Sequence, residues 1–260
     1  ARAPWAVRRG AAPPAKSAVP PHAEEVTGDT ANPEGETSPR PERAAAAPTG
    51  KYQTQSLVAI AEDFSHSTLG FEAEFRAARS ECGQMIRSDA MTAFGLRIAD
   101  VQFGGGRVAK SGWVQGSEWD PRDLLPRAGD TPMGQAIRDS LALIRGEAAR
   151  LRQDGVPINR KILFLFTDGG ATDHPVFEPA RAELHKAEND ERLFVFPVAL
   201  GRYVPEIHRL SCKREAAVLK QGCFRELFAW TADLLARVSR SQPGDEIPLG
   251  SIEGWARMKG

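Results

Sequence analysis

The 260 residues carry 34 lysines and arginines against 34 aspartates and glutamates. A formal charge of zero offers no electrostatic footprint for nucleic acid or for an anionic membrane. The first fifty residues hold nine of the 19 prolines, an AAAA run and six acidic against six basic side chains. With almost no large aliphatic residues they cannot bury enough surface to offset the entropy of ordering, so residues 1–50 are expected to be a disordered Pro/Ala-rich tail.

The rest of the chain carries nearly all the Ile, Leu, Phe and Val, enough for one core covered on both faces. Residues 51–250 are expected to be a single domain and 251–260 a C-terminal tail. The apolar runs LVAIA, ILFLF and LFVFPVAL fall far short of the roughly 20 residues that span a bilayer. No secretory signal is expected either, because the N-terminal residues contain no apolar h-region. Cys82, Cys212 and Cys223 show no paired-ligand spacing, which suits reduced thiols in a cytoplasmic protein, with a Cys212–Cys223 disulfide or a regulatory thiol as the alternatives.

In chain order, QSLVAIAED (55–63) is an apolar run without polar alternation, as in a strand buried on both sides. Residues 71–89 place Phe71, Phe75, Ala78, Cys82, Met85 and Ile86 near helical spacing and predict an amphipathic helix. Residues 93–103 and 108–115 flank the glycines 104–106 and read as a hairpin. From Thr131, with Pro132 just inside the start, Ile137, Leu141, Ile144 and Leu151 recur on one face and predict a helix. KILFLFTDGG (161–170) is a second buried strand, 180–190 a helix, LFVFPVALG (193–201) a third strand and 226–241 a closing amphipathic helix. This alternation predicts an α/β fold: a doubly wound, mostly parallel central sheet flanked by helices, with one antiparallel edge strand.

In such sheets ligands bind beyond the carboxyl ends of the strands. Three loops there carry oxygen donors: Asp63-Phe64-Ser65-His66-Ser67, Asp130-Thr131 and Asp168-Gly169-Gly170. Rich in oxygen and poor in sulfur and imidazole, they suit a hard cation such as Mg²⁺ or Mn²⁺. In D-x-S-x-S, alternate residues of an extended loop point the same way, so Asp63, Ser65 and Ser67 can face one ion. Glu62 is expected to be a loop-edge carboxylate, and Asp173 and His174 solvated loop residues. The segment 104–111 approaches a phosphate loop, but Ala109 replaces the second glycine and the chain continues as strand, which argues against nucleotide binding. Trp113, Trp119 and Trp230 are expected in core or rim packing.

D-F-S-H-S, G-D-T-P-M-G and L-F-T-D-G-G-A-T-D, in that order and on those elements, resemble the metal-ion-dependent adhesion site of von Willebrand factor A domains. The closing FRELFAWTADLLARVSRSQPGDEIPL resembles the bacterial tellurium-resistance-associated TerY group, and the likeness spans about residues 52–249. It implies a Rossmann-like domain that binds a divalent metal through Asp63, Ser65, Ser67, Thr131 and Asp168. It further implies a non-enzymatic module that recruits an acidic side chain from a protein partner, in a bacterial stress or tellurium-resistance system. His66 stands where glycine is common and Thr68 where methionine is common, which bears on surface shape and partner choice more than on the ligands. A phosphatase-like hydrolase with Asp63 as nucleophile is the enzymatic alternative, yet Ser65 stands where its second carboxylate belongs. A metal-free scaffold is the other.

Overall fold

The sequence run QSLVAIAED forms β1 (Gln55–Asp63), buried along its whole length. The structure, a computed structural model, describes residues 54–201 and 204–257. The tail expected over residues 1–50 lies outside the described residues.

After a 3-10 turn, α1 (Glu72–Ser88) and the short α2 (Ala90–Gly95) lead into β2 (Leu96–Gly104). β3 (Arg107–Lys110) and β4 (Val114–Gln115) return antiparallel along β2. The chain continues through α3 (Met133–Gln153), β5 (Ile158–Thr167), α4 (His174–Asp190) and β6 (Leu193–Ala199). It ends with α5 (Pro205–His208), β7 (Ala217–Leu219), α6 (Phe224–Arg240) and β8 (Ala256–Arg257).

The strand order is β3-β2-β1-β5-β6-β7-β8, with β4 also on β2. Pairing is parallel from β2 through β7, and antiparallel at the β3 and β4 edge and at β8. Side chains alternate between faces along each strand, so β1 and β5 feed two cores. Val58, Ile60, Ile162 and Phe164 pack with Phe75, Cys82 and Ile86 of α1 and with Leu227 and Phe228 of α6. Ala59, Ala61, Leu163 and Leu165 pack with Ile137 and Leu141 of α3 and with Phe177 and Leu184 of α4. The doubly wound architecture expected from the alternation of elements is the one observed.

Several boundaries differ for local reasons. Asp89 caps α2 by accepting from Thr92 N at 2.9 Å, so residues expected to begin a strand at 93 finish a helix instead. α4 begins at His174 rather than 180: Pro175 falls in its first turn, where a missing N–H costs nothing, and Pro179 is accommodated inside it. Gly105 and Gly106 turn the hairpin with φ of 58° and 69°. The segment expected as a C-terminal tail from residue 251 instead buries Ile252, Trp255 and Ala256 and pairs β8 with β7. The Trp255 ring stands 5.3 Å from that of Trp230, and this apolar contact anchors the segment against the sheet edge. All three cysteines are free thiols, and no described helix is long and apolar enough to cross a membrane.

Candidate metal centre

The strand order reverses direction between β1 and β5, and it is at the carboxyl end of this switch point that an open α/β sheet leaves a crevice for ligands. Asp63 ends β1 and Asp168 follows β5, so the fold delivers both carboxylates to that crevice.

Asp63 is 1% exposed. Its Oδ1 accepts from Ser65 N at 2.8 Å and its Oδ2 from the Thr167 hydroxyl at 2.5 Å, which fixes the turn leaving β1. Burial pushes this carboxyl above its ordinary range, with the Ser65 and Thr167 hydrogen bonds opposing and the negative charge of Asp168 adding. The buried Ser65 hydroxyl lies 3.0 Å from the exposed Ser67 hydroxyl, which donates to Asp168 Oδ1 at 2.7 Å. Thr131 is buried, and its hydroxyl lies 3.9 Å from where a Cβ on Gly169 would stand. Its backbone amide donates to the Thr172 hydroxyl and its carbonyl accepts from Thr172 N, both at 3.0 Å, which joins the Asp130-Thr131 loop to the loop after β5. The five residues named from sequence thus gather at one end of the sheet. His66 is exposed on the same loop, its amide donating to Gly129 O at 3.2 Å.

This donor set fits a hard cation. An octahedral Mg²⁺ with oxygens at 2.0–2.1 Å has neighbouring ligands about 2.9 Å apart. The Ser65–Ser67 and Ser67–Asp168 separations of 3.0 and 2.7 Å bracket that spacing. Among the described residues no group of three or more His, Cys, Asp or Glu side chains is placed to hold a metal, so a cation here must draw on serine and threonine hydroxyls.

Two sequence expectations need correction. Glu62 is no loop-edge group: it is fully buried in β1 and paired with Arg79 of α1, which is equally buried. Asp173 is not simply solvated, because its Oδ1 and Oδ2 accept from Gly134 N at 3.0 Å and Gln135 N at 2.9 Å. Those amides open α3, where Pro132 has no side-chain oxygen to cap them, so the cap comes from the neighbouring loop. His174, by contrast, is exposed.

Around Glu62 lies a buried polar cluster that sequence reasoning missed. Arg79 also pairs with Asp123 at 2.7 Å, and these two carboxylates hold its guanidinium charged against the cost of burial. Gln102 donates to Glu62 at 3.2 Å and to Arg122 O at 2.9 Å, while its Oε1 accepts from Leu124 N at 2.5 Å. The segment 122–125, which has no regular structure, is fixed by these contacts. Beyond it Arg127 donates to Asp63 O at 3.1 Å and to Thr68 Oγ1 at 2.6 Å, with its guanidinium 4.1 Å from the Phe64 ring centre. Ala128 N donates to Phe64 O at 2.9 Å. The Asp63–Ser67 loop is therefore held at both ends by a segment that contributes none of the five candidate ligands.

No protein-family model and no curated protein matches the sequence. Solved structures do match the fold. The pilus adhesin SpaC from Lactobacillus rhamnosus GG, in its open conformation, is 10% identical with a TM-score of 0.54 over 71% of this chain. Proximal thread matrix protein 1 from the mussel byssus is 20% identical with a TM-score of 0.51 over 72% of this chain. The aligned region spans only 30% and 49% of those two chains. Likeness at this level is likeness of fold, and with the sheet order described above it identifies a von Willebrand factor A-like fold.

Proposed function

We propose that this chain is a divalent-metal-dependent protein-binding module, with Mg²⁺ or Mn²⁺ held by Ser65, Ser67 and Thr131 and the carboxylates of Asp63 and Asp168. The observation that carries this reading is the run of side-chain oxygens from Ser65 through Ser67 to Asp168, at separations of 3.0 and 2.7 Å. Both oxygens of Asp63 already accept hydrogen bonds, which leaves less of its charge for a cation. A cation bound here stays under-neutralised and supplies Lewis acidity toward an acidic oxygen from outside. The chain's own residues fix the oxygens in place, and exposed Ser67 and His66 form the surface that a protein partner with an Asp or Glu meets.

The likeness of the closing segment to the TerY group supports a role in a bacterial stress or tellurium-resistance-type system. Three free thiols suit a cytoplasmic location. Asp63 as the nucleophile of a hydrolase is disfavoured by its burial and by the commitment of both its oxygens, and Ser65 leaves no second carboxylate to act as acid or base. We therefore read the chain as a binding protein and not an enzyme.

Calorimetric titration of metal-stripped protein with Mg²⁺ and Mn²⁺, beside Asp63→Ala and Asp168→Ala, tests the reading. One-site binding lost in both variants is expected. Absence of binding in a folded wild-type chain sinks it and favours a metal-free scaffold.

A further inference from the structure

A second concentration of charge lies at the opposite pole of the sheet. Arg145 and Arg152 are seven residues apart on α3, two turns along one face. Lys161 stands near the amino end of β5, beside Leu193 of β6 in register. Residues 190–192 carry the chain from α4 into β6. Together they line a cleft of about 430 Å³ in which Ala148 is the one apolar lining residue. Lys161 and Asp168 are separated by roughly 23 Å of extended strand, so this cleft is distinct from the metal centre.

The charges are unevenly answered. Arg145 donates to Glu191 at 2.7 Å and is ion-paired with Glu183 as well, so Glu191 is already engaged. Arg152, Lys161 and Arg192 make no ion pair among the described residues, and the two lining carboxylates, Asp190 and Glu191, face four lining cations. Lys161 is half-buried. Burial pushes its amine below the usual lysine range; Glu191 is the strongest charge acting on it and opposes this, and Arg152 and Arg145 add smaller effects in the direction of burial. Arg192 adopts φ of 55°, the one non-glycine residue in the left-handed region among those described. That turn follows the end of α4 at its C-cap Glu191 and presents the exposed Arg192 to the cleft, where four cations outnumber two carboxylates and an anion between them is favoured.

We infer that this cleft binds a compact, multiply charged oxyanion of the phosphate type, engaged by Lys161, Arg152 and Arg192. Arginine forks and a lysine point charge match phosphate oxygens, and with Ala148 the sole apolar lining residue the cleft has no aromatic surface on which a base can stack.

The test is calorimetric titration of the full chain, in metal-free buffer, with inorganic phosphate, pyrophosphate and ADP. Metal-free conditions keep the result independent of the proposed adhesion-type site. Saturable one-site binding is expected, weakened at least about tenfold by Lys161→Met and by Arg192→Gly. Arg192→Gly relieves the left-handed backbone and keeps the fold, so the pair remains informative if Lys161→Met unfolds. ADP binding as tightly as pyrophosphate supports the site with a nucleotide as the source of the anion; weaker ADP binding supports it with a free phosphate-type anion. No saturable binding of any of the three at millimolar concentration, or undiminished binding in Arg192→Gly, overturns the inference.

Discussion

Ser67 and Asp168, 101 positions apart in sequence, meet hydroxyl to carboxylate at 2.7 Å. Only the pairing of β1 with β5 brings them there, because each lies just past the end of one of those strands. Asp168→Ala removes a charge and an oxygen at once, and loss of Mn²⁺ affinity by more than about 100-fold is expected. Ser67→Ala removes one hydroxyl and is expected to cost about tenfold. Calorimetry measures both, with circular dichroism to show that the fold persists. Equal affinity in wild type and Asp168→Ala contradicts the site.

Gly104 sets the path of the Asp63–Ser67 loop. A Cβ there would stand 2.3 Å from Phe64 O and 2.9 Å from Ser65 N, both backbone atoms that cannot step aside cheaply. Gly104→Ala is expected to destabilise the fold by about 1–3 kcal/mol and to weaken metal binding by displacing Ser65. Gly106 meets nothing within 4 Å and has φ of 69°. Gly106→Ala is therefore expected to cost about 1 kcal/mol of turn strain and leave metal affinity unchanged. Urea unfolding and metal titration of the two variants separate a steric role from a conformational one.

The Glu62–Arg79 pair, sealed from solvent on both sides, is expected to be costly to break and cheap to replace. Arg79→Met strands a buried carboxylate and Glu62→Gln leaves a buried guanidinium short of a partner, each at about 3–5 kcal/mol. The double variant is expected to lose markedly less than the sum, which a denaturant double-mutant cycle reads directly. Additive losses show that the two residues act separately.

What was legible in the sequence follows from what leaves a local pattern. The unbroken apolar runs at 57–61 and 162–166 and the helical spacing of Ile137, Leu141 and Ile144 follow from burial alone, and they mark β1, β5 and α3. D-x-S-x-S marks the loop that gathers Asp63, Ser65 and Ser67 at the sheet end because its three side chains come from one short stretch. The partnership of Glu62 with Arg79, the contacts of Gln102 with 122–125 and the capping of α3 by Asp173 leave no such trace, since each joins residues from different elements. β7 and β8, with three and two residues, are too short for any periodicity, so the burial of Trp255 emerges only in three dimensions.

Asp100 on β2 offers a pH signature away from the metal loop. Burial, and next the negative charge of Glu62, push its carboxyl up to about 7, while hydrogen bonding from the Trp119 indole at 3.1 Å opposes the rise. In the unfolded chain this carboxyl returns to its ordinary value near 3.8. A folded pKa above the unfolded one favours the folded state while the group is protonated. That contribution is complete below the unfolded pKa and is lost as pH climbs from about 4 to about 7. Each pH unit across this window is worth up to about 1.4 kcal/mol, shared with Glu62 because the two carboxylates influence each other. Asp100→Asn keeps an oxygen for Trp119 but cannot ionise, so it is expected to be more stable than wild type at pH 8 by about 1 kcal/mol or more and to flatten the slope between pH 4 and 7. Urea unfolding at pH 5 and pH 8 for both proteins decides it, and parallel pH profiles place the titration elsewhere.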